Sequence, residues 1–535
     1  MWPTLVTRGA EQPTVVVGGS RKSLIDLMQL VRLHQSSLEL SALLFVVGLF
    51  HYVTLMRTPA PFVDEAWYAS RAWSLIQTGR NFSTLDSGVF DRFDGYWTYL
   101  PLLGTWVQSL SIRIFGLSLW SVRLVSLLFG LIVLVAVYSI ACRLGGSRFG
   151  LLAVVIASLS KAFLYSAHLA RQDVMVAALG FGAVALYFYD APSRVPWKSL
   201  LGGLFVGLSF EIHPYGLLYA LVVTSLYFLD DRWRFLLRRN FWLFAIGTGA
   251  GLAVYVAIHV LPYPSTYVAL SQLASGGLYT PPLLVLDPTV WIQSVLDMRL
   301  IFTRGAILLI ACSGVILWWN RSRADERLLV LFATMLVLFV ALVRNKGDYY
   351  QILLYPASDL IVAAAIAKLL WRKAEIAFPN YLALAFMIGL STVVIARGLR
   401  PVLQNSTAEF QPTLARINAV IPAGSSVMGS QTYWFGMPGA TYFSWEEVIY
   451  YRRYAPGATF EDALKTFHPQ YLIIDRHLDS FIVGQSDPSH SYYESQMMVP
   501  RSELQQILDR RAQRVVVIHT ETFGDIRIYA LHWDD

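Results

Sequence analysis

Apolar residues in this chain fall into long runs separated by short polar stretches, at roughly 41–57, 121–141, 150–167, 173–189, 199–212, 215–229, 241–261, 305–319, 328–343, 351–370 and 380–397. A helix needs about 20 apolar residues to cross a bilayer, so this pattern predicts a polytopic α-helical membrane protein of about eleven transmembrane helices. Two of the runs are short. The pair 199–212 and 215–229 is interrupted by His213-Pro214-Tyr215-Gly216, and Pro with Gly at membrane depth is tolerated where the freed backbone is buried in protein or lines a cavity. That break is itself a candidate site.

The segment 58–120 is long for a connection and holds two amphipathic stretches too polar to span. Glu65–Thr78 reads as a helix closed by Gly79, and Leu100–Phe115 as another closed by Gly116, both lying along the membrane surface. Beyond about residue 398 the pattern changes. Asp, Glu, Pro and Gly return, Tyr471–Ile474 reads as a strand, and Val515–Thr522 with Ile526–Leu531 reads as a hairpin around Gly524. The tail is therefore expected to be a small α/β domain. The domain plan is 1–40 as an N-terminal segment, 41–397 as the membrane part and 398–535 as the α/β part. The loop 262–298, with Gly276-Gly277 and Pro281-Pro282, is long enough to act as a lid.

Composition agrees: 56% of the 535 residues are hydrophobic and 14% charged, against roughly a quarter charged in soluble chains. A net charge of +7 could suggest nucleic acid, but the basic residues gather between apolar runs and form no stripe, so they act as topology signals. Arg143 and Arg148, Arg194 and Lys198, Arg232 to Arg239, Arg321 to Arg327, and Arg372 with Lys373 all fall on one side. The positive-inside rule makes that side the cytoplasm. The N-terminus is then cytoplasmic, and 58–120, the turn at 168–173, 262–298, the turn at 344–350 and the C-terminal part are outside, in a multi-pass cell-membrane protein. The two cysteines, Cys142 and Cys312, lie in or beside apolar runs and imply no disulfide framework.

Three outward constellations carry candidate chemistry. Asp64-Glu65 opens the first surface helix. Capping and the helix dipole account for an acidic pair there, yet a carboxylate at the membrane–water boundary beside Trp67 and Tyr68 is also suited to act as a general base. His168-Leu-Ala-Arg171-Gln-Asp173 comes next. Arg171 alone could snorkel to headgroups, but an acidic residue opening a membrane helix usually faces a cavity or partner. In a turn, Arg171 could hold a phosphate while Asp173 orients an acceptor, a metal or Arg171 itself. The third is Arg344-Asn-Lys346-Gly-Asp-Tyr349-Tyr350, a basic and tyrosine-rich turn suited either to lipid headgroups or to one lipid phosphate. His213 is a candidate for the same site, against the commoner role of a histidine satisfied by its neighbours. No Walker loop, dinucleotide fingerprint or zinc motif is present. Gly202-Gly203 is better explained by close helix packing.

Together, Phe62-Val-Asp64-Glu65-Ala-Trp-Tyr68, Arg171-Gln-Asp173 and Arg344 to Tyr350 resemble the motifs of the GT-C superfamily of membrane glycosyltransferases. The resemblance is to the protein O-mannosyltransferase and aminoarabinose-transferase-like branch, over about residues 40–400. It implies Asp64 and Asp173 as catalytic residues, with Arg171, Arg344, Lys346, Tyr349, Arg123 and His213 binding the donor phosphate. Glu65, His168, Arg92 and Tyr350 are secondary candidates. Arg123, in Trp120-Ser-Val-Arg-Leu, matches an arginine at the outer start of the family's second span. The chain departs at Thr98-Tyr99-Leu100-Pro101-Leu102, where relatives carry Lys-Pro-Pro; Arg92 is the candidate substitute for that lysine. The implied donor is a polyprenyl-phosphate-linked sugar and the acceptor a lipid, protein or glycan, with no nucleic-acid partner. No cofactor is called for, and a divalent metal is left open. A secondary transporter or flippase is the rival class, and Glu211, charged and inside an apolar region, is its main support. A noncatalytic assembly partner of the same fold is the third.

Overall fold

A computed structural model of the chain describes residues 19–83, 85, 88–193, 196–275, 292, 296, 303–319, 321–343, 347–371, 378–483 and 498–533. The chain divides into two compact units, Met1–Val47 and Gly48–Asp535. In the smaller, residues 19–47 are helical and Gln35 donates to Glu39 one turn on. All that follows concerns the larger.

The helices are α1 (Gly19–Thr54), α2 (Val63–Thr78), α3 (Leu103–Phe115), α4 (Leu119–Gly145), α5 (Ser147–Ser158), α6 (Lys161–Ala167), α7 (Asp173–Ser193), α8 (Pro196–Phe210), α9 (Leu218–Asp231), α10 (Arg239–Tyr255), α11 (Pro264–Ser275), α12 (Arg304–Trp319), α13 (Arg323–Leu342), α14 (Tyr355–Trp371) and α15 (Phe378–Gln404). Both surface helices end where the sequence stops them. Gly79 closes α2 in the left-handed conformation at φ 73°, and Gly116 closes α3. The left-handed region costs glycine no Cβ clash. α3 starts at Leu103, later than the expected Leu100, because Pro101 lies in the lead-in and disfavours helix at the residue before it.

Four helices are long and apolar enough to cross a membrane alone: Gln35–Thr54, Leu119–Gly145, Arg239–Val260 and Tyr381–Gln404. The expected continuous span 150–167 is a bent pair, α5 and α6 meeting at 68°. Ser160 caps α6 by accepting from the Phe163 amide at 3.4 Å. The expected break at His213-Pro214 is present as a 3-10 turn, Pro214–Leu217, between α8 and α9. α8 and α10 cross in close contact, since a side-chain carbon at Gly203 would overlap the Phe244 carbonyl. Glycines at such a crossing let two backbones touch. Large apolar side chains such as Leu128, Ile132, Trp242, Ile246, Val315 and Phe386 face outward, as lipid contact requires.

The C-terminal part is an α/β layer. A five-stranded sheet runs in the order β2-β1-β3-β7-β6, with β1 (Ser426–Gly429), β2 (Thr441–Ser444), β3 (Tyr471–Ile474), β6 (Ala512–Thr520) and β7 (Gly524–Leu531). β4 (Ile482–Val483) and β5 (Val499–Pro500) form a separate short pair. β1 pairs parallel with β2 and β3, while β7 runs antiparallel to β3 and β6. The hairpin and the strand at 471–474 lie where the pattern placed them. The boundary expected at 397/398 falls inside α15, which runs on to Gln404.

The layer shares its core with the outer segment. Ala66, Ala69 and Ala72 on one face of α2 pack with Val427, Tyr433, Trp434, Tyr442, Ile473 and Ile528. Val89, Phe90 and Leu270 pack with Phe443, Trp445 and Tyr450. Small side chains on α2 allow the sheet to approach closely, and α2 is thereby gripped from the side opposite the membrane helices.

Candidate functional site

α2 opens on two carboxylates with different fates. Glu65 is fully buried. Its Oε1 accepts from Arg123 Nε at 2.8 Å and from the Ala170 amide at 2.8 Å; its Oε2 accepts from Arg123 Nη2 at 2.8 Å and from the Phe62 amide at 2.9 Å. Arg123 also donates to the Leu55 and Pro59 carbonyls at 3.2 and 3.0 Å. A buried charge pair survives only when its remaining lone pairs and protons are met, and here they are. The pair joins the end of α1, α2, α4 and the turn before α7. The expectation that Arg123 binds donor phosphate is thus corrected, because its guanidinium is wholly enclosed and spent on Glu65 and two carbonyls. Glu65 is structural for the same reason.

Asp64 turns the other way, and its side chain is 22% exposed. Its Oδ2 pairs with Arg171 Nη1, while Arg171 Nε donates to Asp173 Oδ2 at 2.8 Å. Arg171 and Asp173, two apart, could not meet along one helix face. They meet because Arg171 lies in the turn and Asp173 begins α7. The guanidinium sits over the Tyr349 ring at 3.7 Å, with Tyr350 at 5.5 Å and Tyr68 at 5.6 Å. Burial opposes the charge of Arg171, but Asp173 outweighs it and holds the group above its ordinary range. Burial, reinforced by Asp173, also raises the Tyr68 phenol above its usual range. Tyr350 is raised too, chiefly by burial, so both hydroxyls remain proton donors at neutral pH.

His213 flanks this cluster. Its Nδ1 accepts from the Tyr215 amide at 3.2 Å, and its ring packs on Tyr215 and Tyr350 at 4.6 and 5.8 Å. His168 does not belong to it. Its Nδ1 meets the Thr58 carbonyl at 3.1 Å and its Nε2 meets His51 Nδ1 at 2.9 Å, so both nitrogens serve the packing of α1. Arg92 is exposed and lies over the Tyr454 ring at 5.1 Å, engaged with the α/β layer. Arg344 and Lys346, and the lid expectation at Gly276 to Pro282, lie outside the described residues.

Two residues passed over in the sequence stand close by. Arg71 is buried beneath Trp67 and Tyr68, its guanidinium 3.7 and 4.7 Å from their rings; a basic residue three and four places after two aromatics was the available signal. Lys161, at the α5–α6 bend, pairs with Asp348 at 3.0 Å, next to Tyr349, whose carbonyl accepts from Ser166. An ionisable residue inside an apolar run marked it. Glu211 is enclosed: its Oε1 lies 2.7 Å from His259 Nε2 and accepts from the Leu102 amide at 2.9 Å. It ties the outer segment to the membrane helices, and the transporter reading loses its main support. Among the described residues, no three His, Cys, Asp or Glu side chains converge so as to hold a metal ion.

Residues 100–261 match the family model described as dolichyl-phosphate-mannose-protein mannosyltransferase. That stretch holds Arg171, Asp173 and His213 but not Asp64. No curated protein matches by sequence. Among solved structures, the chain is similar to ArnT from Cupriavidus metallidurans bound to undecaprenyl phosphate, at 14% identity over 92% of this chain and 97% of that one, with a TM-score of 0.55. The apo state of the same protein gives 0.56. The apo oligosaccharyltransferase of Archaeoglobus fulgidus gives 0.52 at 12% identity, covering 91% of this chain and 74% of that one. The resemblance read in the sequence is borne out: the chain has the fold of the GT-C membrane glycosyltransferases.

Proposed function

We propose that this chain, a membrane glycosyltransferase of the GT-C fold, moves a hexosyl or pentosyl group from a polyprenyl-phosphate-linked donor to a hydroxyl of a lipid, protein or glycan acceptor at the outer membrane–water boundary, with inversion. The observation that carries the reading is the placement of Asp64. It is partly exposed at a helix start and paired to an arginine whose stem Asp173 holds, in a fold shared with ArnT, one of whose structures holds undecaprenyl phosphate.

In this reading the acceptor oxygen attacks the anomeric carbon as its proton passes to Asp64. The bond from the anomeric carbon to the phosphate oxygen breaks, and its electrons leave with the polyprenyl phosphate. That group is a stable anion and needs no acid. Arg171 stabilises the departing charge from a fixed position, and Tyr68 and Tyr350 offer protons in hydrogen bonds, an arrangement worth several kcal/mol when preorganised. Asp173 positions Arg171. His213, Lys346 and Arg344 complete the phosphate side. The accompanying topology has a cytoplasmic 1–40, eleven crossings within 41–397 and an extracytoplasmic 398–535; the positive-inside pattern supports it.

Mass spectrometry of lipids copurifying with the wild-type protein tests donor class, with a polyprenyl-phosphate sugar expected. Turnover by Asp64→Asn tests the base. Turnover kept at wild-type rate by a folded variant would place the base elsewhere.

A further inference from the structure

Arg171 is asked to do two things that compete. It neutralises Asp64 and Asp173 together, one cation between two carboxylates, and in the proposed reaction it receives a phosphate. Building on that reading, we infer that Arg171 is an exchange group: the donor phosphate takes its Nη1 side from Asp64, and Asp64 becomes a competent base only once the donor is seated.

The geometry decides which carboxylate yields. Asp173 holds Nε, begins α7 and is 4% exposed, whereas Asp64 holds Nη1 and is 22% exposed. An anion arriving from solvent meets the Asp64 side first and can displace it while Asp173 keeps the stem in place. The Tyr349 ring under the guanidinium holds its plane through the exchange. A carboxylate beside an arginine is a weak base, typically one to three pH units below its unpaired value. Losing that partner to a phosphate, with a second negative charge now nearby, reverses the effect. Facing the triad are Tyr68 and Arg71 from α2, Tyr349 and Tyr350 from the turn before α14, His213 from the helix break and Glu446 from the α/β layer. None of the tyrosines is negatively charged at neutral pH, so the exchange is controlled by the charged groups alone.

The consequence is ordered catalysis. Without donor, Asp64 is occupied and an acceptor hydroxyl finds no base; with donor, the base is released beside the carbon it must serve.

The test is an infrared titration of the Asp64 carboxyl in the full-length protein in nanodiscs, assigned by subtraction of Asp64→Asn. It is run alone, with undecaprenyl phosphate and with inorganic phosphate. The expected result is a midpoint about one to two pH units higher with the lipid than without. A shift with the lipid supports the exchange whether or not inorganic phosphate also produces it, and that arm shows whether the headgroup suffices. An unmoved midpoint with saturating lipid overturns it. In Arg171→Gln the midpoint is already high without lipid and lipid leaves it unchanged; should this variant fail to fold, the wild-type comparison decides. If Asp64→Asn is inactive yet the wild-type midpoint is fixed, the exchange alone fails. If Asp64→Asn turns over normally, the base assignment fails whatever the titration shows.

Discussion

Arg123 grips both oxygens of Glu65 at 2.8 Å, with both side chains sealed from solvent. The neighbouring Asp64 is left open and paired to a different arginine. One acidic dipeptide thus divides into an anchor and a reactive group, because consecutive residues at a helix start point to different sides.

Removing the anchor should cost stability before it costs chemistry. Glu65→Gln or Arg123→Met leaves an uncompensated buried charge, for which a loss of about 3–5 kcal/mol is expected. Thermal unfolding of the purified protein should fall clearly for both variants. Asp64→Asn, which alters a partly exposed pair, should change stability by about 1 kcal/mol or less. Equal shifts for Glu65→Gln and Asp64→Asn would contradict this division.

The two aspartates should separate kinetically. Asp64→Asn removes the base, so kcat is expected to fall by roughly 100-fold to 10,000-fold with little change in KM for the donor. Asp173→Asn loosens the stem of Arg171, and its larger effect is expected on donor KM. Steady-state assays with varied lipid-linked donor distinguish these, and matching effects on both parameters in both variants would argue against separate roles.

Tyr349 supports Arg171 with its ring face. Tyr349→Leu removes a desolvated cation–π contact of about 2 kcal/mol, which should weaken donor binding by roughly 30-fold on the scale where 1.4 kcal/mol is tenfold. Tyr349→Phe keeps the face and should bind donor almost as wild type does. If instead the Phe variant is as weak as the Leu variant, the hydroxyl is the element that matters.

Acid should loosen one end of the C-terminal hairpin. Glu409 accepts from the Thr522 amide at 2.8 Å and from the Glu521 amide at 3.0 Å, and these bonds hold its carboxyl below the ordinary 4.5. The folded value is the lower one, so the contribution is complete above the ordinary value and disappears as pH falls through the depressed one. Hydrogen exchange at Glu521 and Thr522, corrected for intrinsic rates, should rise in that acid window. Glu409→Gln should remove the pH dependence.

Much of this was legible in the chain. Runs of apolar residues placed most helices, Gly79 and Gly116 fixed two ends, and Asp64, Arg171, Asp173 and the tyrosine pair do converge. What escaped depended on partners distant in sequence. Nothing local to Arg123 says that its carboxylate is Glu65 and that its remaining protons go to Leu55 and Pro59. Arg123 was therefore misread as facing the donor. His168 was misread similarly, since its partner His51 lies on another helix. The α5–α6 bend was hidden because hydropathy averages over Lys161, one charge in an apolar run. Arg71 was overlooked because aromatic neighbours conceal a buried cation from any pattern based on polarity.

The alanine face of α2 has a further consequence for biogenesis. α2 is among the first elements to leave the ribosome, yet the surface it packs against includes Ile473 on β3 and Ile528 on β7. The helix carrying Asp64 therefore reaches its final packing only when nearly the whole chain has been translated. Until then the nascent protein can be threaded into the bilayer without a finished catalytic centre, and a truncated translation product would be inserted yet silent.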